Sequence, residues 1–207
     1  MGLVLYWRPG TASMAPHAAL AETGVDYRLV EIGRDEAQGD ESYRALNPLG
    51  VVPTLVDEEA GLVLTESAAI VLYLGDRFPE AQLAPVDRAD YYRWLVFGTN
   101  TVQTSMVRWF YPERYGDGDG VTAAAAHDAG EAFDILDRAL AGRTWLAADH
   151  RTGADLFLFM LTRWARRLEP AAWDRPNLCA HFLATIELPG VRRMLEEQGL
   201  DLPDWAT

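Results

Sequence analysis

Two short segments carry side chains whose types and order suit recognition of an amino acid or an extended peptide. Thr65-Glu66-Ser67 follows the apolar run Leu62-Val63-Leu64 and opens a stretch with helical spacing, Ile70, Val71, Tyr73, Leu74 and Phe78. Free amide hydrogens at a helix start carry partial positive charge. A ligand carboxylate would take those amides and the Ser67 hydroxyl, while Glu66 would take an ammonium group. Helix capping accounts for the same residues without a ligand, with Thr65 as the cap and Glu66 favourable in the first turn. In Val52-Pro53-Thr54 a proline interrupts an apparent strand, which removes a ladder donor and points to an edge, a bulge or a cis bond. A cis bond would turn the amide and carbonyl of Val52 outward to pair with an extended peptide, as an added strand does. An unpaired strand edge with no ligand is the other reading.

The elements that must position these groups follow from the apolar pattern. Leu3 to Trp7 reads as a buried strand that ends at the turn Pro9-Gly10. Ser13 is then placed to cap a helix carrying Met14, Ala18, Ala19 and Leu20, which stops near Gly24. A second strand, Tyr27 to Ile32, completes a βαβ unit. After a polar stretch and a helical turn at Ser42 to Leu46, Asn47-Pro48-Leu49-Gly50 signals a loop. Strands at Val52 to Val56 and Leu62 to Leu64, joined by an acidic turn, and a helix capped by Thr65 make a ββα unit. From Asp87 only helical spacing remains. Helices are expected through Val121 to Leu140, Ala154 to Leu168, Asn177 to Ile186, and from Pro189 to near Gly199, with a loop at Gly116-Asp117-Gly118-Asp119-Gly120. The expected division is residues 1–79, a linker at 80–86, and an all-helical domain at 87–207.

Composition removes several function classes. The 207 residues carry 31 acidic and 18 basic side chains, a formal charge of −13, which argues against nucleic acid as a partner. All 18 basic residues are arginine, so no lysine is present for a P-loop or a Schiff base. A single cysteine, Cys179, excludes an intrachain disulfide or a thiolate-rich zinc site, and the four histidines show no metalloprotease-like pair, so no metal is expected. No segment reaches the apolar length of a membrane helix, and the expectation is a soluble cytoplasmic protein.

Taken together and in order, three segments resemble the cytosolic glutathione transferases, nearest to the bacterial beta-type branch. They are Tyr6-Trp7-Arg8-Pro9-Gly10-Thr11-Ala12-Ser13-Met14-Ala15-Pro16-His17, Asn47-Pro48-Leu49-Gly50-Val51-Val52-Pro53-Thr54-Leu55 and Leu64-Thr65-Glu66-Ser67-Ala68-Ala69-Ile70. The resemblance implies a thioredoxin-like N-terminal domain, an all-helical C-terminal domain, glutathione as co-substrate, and a homodimer. It assigns Val52 to main-chain pairing with the cysteinyl unit of glutathione, Pro53 as its cis partner, and Glu66 and Ser67 to the γ-glutamyl end. Arg34 is the expected partner of the glycyl carboxylate, where family members often use lysine. The chain departs from the beta-type pattern at the chemistry. Ala12 stands where the cysteine should be, so no mixed disulfide with glutathione can form there, and Trp7 stands in place of the first-strand tyrosine. Two hydroxyls remain, and Ser13, with Thr11 as the alternate, is the one expected to donate to the glutathione thiolate beside the start of the first helix.

The resemblance also implies a second, hydrophobic electrophilic substrate meeting the thiol between the two halves. Arg8, Met14, Met106, Trp109 and Phe110 are the residues expected there, with Tyr111 beside them, although helical spacing gives most such residues to the core. Arg108 would suit a flat, carboxylated electrophile through charge pairing and stacking. A fold-only relative that has lost catalysis and acts through protein contacts is the alternative, favoured by the missing cysteine and opposed by the retained Val52-Pro53 and Glu66-Ser67.

Overall fold

The computed structural model describes residues 2–116 and 118–206. Strand β1 (Leu3–Trp7) is apolar throughout and buried, which suits the centre of a sheet covered on both faces. Helix α1 (Met14–Glu22) crosses over to β2 (Tyr27–Glu31), which pairs with β1 in parallel. Two short helices, α2 (Arg34–Gly39) and α3 (Glu41–Leu46), lead to the antiparallel hairpin β3 (Thr54–Asp57) and β4 (Leu62–Thr65), followed by α4 (Ser67–Arg77). The sheet order is β2-β1-β3-β4, with β1 and β3 antiparallel. This is the thioredoxin-like arrangement of βαβ followed by ββα.

The second part is helical: α5 (Ala89–Phe97), a π-helical segment (Gly98–Gln103), α6 (Thr104–Phe110), α7 (Gly118–Ala139), α8 (Gly153–Trp164) and α9 (Pro176–Ile186). Every residue of α8 is buried, so it forms the centre of this unit. Its start is held by Asp155, which accepts from the backbone N–H of Leu146 (2.7 Å) and of Thr152 (2.7 Å). The absent side chain of Gly98 lets the chain approach the Phe157 ring, which a Cβ would meet at 3.0 Å. Among the described residues no helix is long and apolar enough to cross a membrane.

By internal packing the chain forms two units, Met1–Leu83 with Glu187–Thr207, and Ala84–Ile186. The last helix, α10 (Pro189–Glu197), therefore returns to the first unit, where Val191, Met194 and Leu195 are buried and the helix lies against α1. A division into 1–79 and 87–207 does not anticipate that return. Three local expectations also change. Pro53 precedes β3 rather than lying within it. Thr65 ends β4, and Glu66 takes the cap position of α4 with no side-chain cap bond. Gly118, Asp119 and Gly120 form the first turn of α7 instead of a loop, with Asp119 at the favourable end of the dipole and Ala125, Ala129, Ala132, Phe133 and Leu136 anchoring the buried face. Asp117 lies outside the described residues.

Candidate functional site

Sheet register brings the sequence-flagged segments to one end of the first unit. Thr54 lies opposite Thr65 across β3 and β4, so Val52-Pro53 and Glu66-Ser67 run alongside one another just beyond the ladder. Thr54 also lies opposite Tyr6 of β1, which places the loop that follows Trp7 on the other side of Val52-Pro53. One sheet end thus gathers the Arg8–Ser13 loop, the Val52 segment and the start of α4.

The Val52–Pro53 peptide is cis. Within the described residues the N–H and C=O of Val52 make no hydrogen bond, although its side chain is buried against Ile32, Ala37 and Tyr43. An anchored side chain with an idle main-chain donor and acceptor leaves a ready partner for an extended peptide. A buried network fixes the segment. The carbonyl of Val51 accepts from Tyr43 Oη (2.6 Å) and Asn47 Nδ2 (2.7 Å), and both donors also reach Thr54 Oγ1, at 2.9 and 3.2 Å. Burial pushes the Tyr43 hydroxyl pKa up, so it stays a donor through the neutral range. Gly50 allows the tight approach of this loop to α2: its φ is +60°, and a Cβ would stand 2.8 Å from the Ala37 carbonyl oxygen. Tyr43, Asn47 and Thr54 were not singled out from the sequence. The Asn-Pro-x-Gly string signalled a loop, and nothing marked Tyr43.

At the start of α4, Glu66 has φ 68° and ψ 117°, a conformation that non-glycine residues rarely hold. Its side chain is exposed and makes no capping bond. Ser67 is only 5% exposed, yet its hydroxyl makes no hydrogen bond within the described residues. Capping alone therefore does not explain these residues. The helix presents uncapped amides, a free hydroxyl and a carboxylate at one point, which is the set that holds an α-amino acid head group.

In the first loop, Thr11 Oγ1 donates to the Arg8 carbonyl (2.7 Å), and Ser13 Oγ lies 3.0 Å from that carbonyl and 2.9 Å from Thr11 Oγ1. The Arg8 N–H donates to Ser13 Oγ (3.3 Å). Ser13 makes no side-chain cap bond to α1, so the capping expectation does not hold, and its hydroxyl instead closes the loop. Ser13 is fully buried, whereas Thr11 is half-buried. The Ala12 N–H has no partner within the described residues.

Arg34 is exposed on the first turn of α2, three residues before Ala37, whose side chain packs in the cluster with Val52. Arg8 is half-buried. Met14 and Met106 are completely buried, as core packing requires, so of the residues expected around an electrophile they offer no surface. Trp109 is half-buried and Phe110 is 37% exposed, the two rings meeting edge to face at 5.1 Å. Arg108 is exposed and stands over the Tyr115 ring at 5.7 Å. Among the described residues no group of three or more His, Cys, Asp or Glu side chains is placed to hold a metal ion.

Two family models match the chain: "Glutathione S-transferase, N-terminal domain" over residues 1–76 and "Glutathione S-transferase, C-terminal domain" over residues 112–189. Glutathione S-transferase GST-4.5 of Xanthomonas campestris is 30% identical over 205 residues, covering 95% of this chain and 99% of that protein. Among solved structures, a glutathione S-transferase from Xylella fastidiosa superposes with a TM-score of 0.87 at 29% identity, over 96% of this chain and all of that one. A sphingomonad glutathione S-transferase complexed with glutathione gives a TM-score of 0.84 at 30% identity, over 96% of this chain and all of the other.

Proposed function

The chain belongs to the glutathione S-transferase family, and from that premise we propose that it binds glutathione along Val52 and at the start of α4, stabilises its thiolate, and adds it to a small hydrophobic electrophile. The observation that carries this reading is the Ser67 hydroxyl, on a side chain only 5% exposed, left without a protein partner beside uncapped amides. Val52 would pair through its N–H and C=O with the cysteinyl unit. The Ser67 hydroxyl and α4 amides would take the γ-glutamyl carboxylate, and Glu66 its ammonium. Arg34 is the proposed partner of the glycyl carboxylate. The same idle groups give no support to a fold-only protein.

A thiol of pKa near ~8.5 is only a few per cent ionised at neutral pH. Thr11 and Ser13 share the Arg8 carbonyl, so one hydroxyl can leave it for a thiolate while the other keeps it satisfied. Thr11 is the accessible one. In this reading Thr11 donates to sulfur, the unpartnered Ala12 N–H supports it, and Ser13 holds the loop. Each unit by which the thiol pKa falls corresponds to about 1.4 kcal/mol. Trp109 and Phe110, with Arg108 as the cation, are the proposed recognition groups for a planar electrophile. The family resemblance supports a homodimer working in the cytoplasm on reactive electrophiles. With a charge of −13, the protein repels anionic glutathione at long range, but screening beyond ~8 Å at physiological salt leaves local donors in control.

Glutathione titration by calorimetry, with thiolate absorbance followed against pH, tests the assignment. Thr11→Ala should return the bound thiol pKa toward its solution value without abolishing binding, and Ser13→Ala should lower stability more than thiolate yield. No binding at millimolar glutathione would overturn the reading.

A further inference from the structure

The first loop is tied to the far end of the sequence by a buried chain of hydrogen bonds that the catalytic reading does not use. Gln198, just beyond α10, is 4% exposed; its Oε1 accepts from the Gly10 N–H (3.1 Å), and its Nε2 lies 3.0 Å from His17 Nδ1. His17 is fully buried, and its Nε2 stands 2.7 Å from Glu197 Oε2. The same carboxylate accepts from Tyr27 Oη (2.8 Å) and, at Oε1, from Arg193 Nε (2.9 Å). At the other end of α10 the Gly190 N–H donates to Glu22 on α1 at 2.6 Å, so the helix is pinned to α1 at both ends. Gly10 itself sits at φ 67°, so the loop turns at the residue that Gln198 grips.

Donor counting fixes the protons in this chain. Glu197 is ionised and can only accept, so the single proton of a neutral imidazole sits on Nε2. Nδ1 must then accept from the Gln198 amide nitrogen, which in turn aims Oε1 at Gly10. A second proton on His17 puts an N–H on Nδ1 against that NH2 group. Rotating the amide would satisfy His17 but would set NH2 against the Gly10 N–H. Either arrangement leaves two donors facing each other in a buried site, so protonation must break the chain at one link.

We propose that His17 and Gln198 are positioning residues that hold the Gly10–Ser13 loop, and that a second proton on His17 releases the loop. The catalytic consequence rests on the proposed use of Thr11; the release itself does not. The charged and titratable groups facing His17 are Glu197 and Arg193 from α10 and Tyr27 from β2, with the Trp7 ring of β1 also against it. Burial holds the imidazole below its usual pKa, and the Arg193 charge adds to this against the pull of Glu197. Activity toward glutathione is thus intact above that lowered value and falls as pH drops through it.

Two readouts test the proposal on the full chain. In nuclear magnetic resonance of the wild type, the Gly10 amide should shift with pH at the same midpoint as the His17 ring, and in Gln198→Met it should no longer follow. A Gly10 amide that ignores the titration of His17 overturns the proposal whatever the activity. Kinetics with glutathione and chlorodinitrobenzene should show a one-proton acid limb in kcat/KM for glutathione. Gln198→Met should lower that kcat/KM about tenfold at neutral pH, the worth of one lost buried hydrogen bond, and flatten the limb. Gln198→Glu keeps an acceptor for Gly10 and offers a second to protonated His17, so the limb should disappear with activity retained. An acid limb unchanged in both variants refutes the release. Failure of the wild type to bind glutathione would instead strike the transferase reading and leave the Gly10 measurement to decide this one.

Discussion

Replacing Ser67 by alanine separates a ligand-binding hydroxyl from a structural one. In the free protein the Ser67 side chain is 5% exposed, and its hydroxyl, bonded to nothing among the described residues, is still reached by solvent, so its removal takes away no internal bond. A hydroxyl that water still reaches carries no full desolvation cost, so its removal should leave stability nearly unchanged. Binding should weaken. A hydrogen bond to an ionised ligand group is worth about 1.5–3 kcal/mol, so Kd for glutathione should rise about 10- to 150-fold. Ser105 is the matched control: it is equally buried at 5%, but its hydroxyl donates to the Thr101 carbonyl at 2.9 Å. Ser105→Ala should lose about 1 kcal/mol of stability and bind glutathione normally. Calorimetric titration and thermal unfolding of both variants supply the comparison. A Ser67→Ala protein that binds like the wild type, or that loses stability as Ser105→Ala does, would refute the reasoning.

Three further outcomes follow from the same geometry. Asn47→Ala removes donors to Val51 and Thr54 and an acceptor for the Leu49 N–H, and should cost roughly 3 kcal/mol in urea denaturation while weakening glutathione binding; a loss below about 1 kcal/mol would show that Tyr43 alone fixes the loop. Gly50→Ala should cost more than Gly142→Ala, because both have positive φ but only the Cβ at 50 meets backbone, and the difference in unfolding free energy should exceed about 1 kcal/mol. His17 takes up its proton less readily when folded than when unfolded, so its stabilising effect is complete above about pH 6.5 and is lost as pH falls from there toward the lowered folded value, at up to about 1.4 kcal/mol per pH unit. Glu197 adds a further loss only below that range: burial raises its pKa, but donors from Arg193, His17 and Tyr27 outweigh that and hold it below the usual carboxylate value, so its stabilising effect is complete above the ordinary carboxylate range and is lost as pH falls through the lowered value. A urea midpoint that stays flat between pH 6.5 and 5 would count against the His17 network.

The parts of the site made by local sequence were legible in the chain. A proline beside Thr54 and a Thr-Glu-Ser string ahead of a helix advertise themselves through side-chain type, and the apolar run at Leu3–Trp7 marks the central strand. What joins them was not legible. The idle main chain of Val52 depends on a network from Tyr43, Asn47 and Thr54, residues that carry no catalytic signature. The unusual backbone of Glu66 belongs to no residue-type preference, since nothing about a glutamate calls for positive φ. The choice between Thr11 and Ser13 turned on burial, which two adjacent hydroxyls cannot reveal by spacing. Gln198 lies 188 residues from Gly10, and no periodicity links a glutamine after the last long helix to a loop before the first. Helix α7 begins in a Gly-Asp-Gly stretch that resembles a turn, and long-range packing of its alanine face overrides that local preference.

The return of α10 to the first unit has a consequence for synthesis. During translation, Ala84–Ile186 is a complete sequence before the strands and α1 made earlier have their last partner. The sides of α1 and His17 that α10 covers therefore lack that cover until residues 187–198 leave the ribosome. A nascent chain stalled before that point carries Thr11, Val52 and Ser67 but lacks the grip on Gly10. The order of synthesis thus withholds the finished Gly10–Ser13 loop from incomplete copies of the protein.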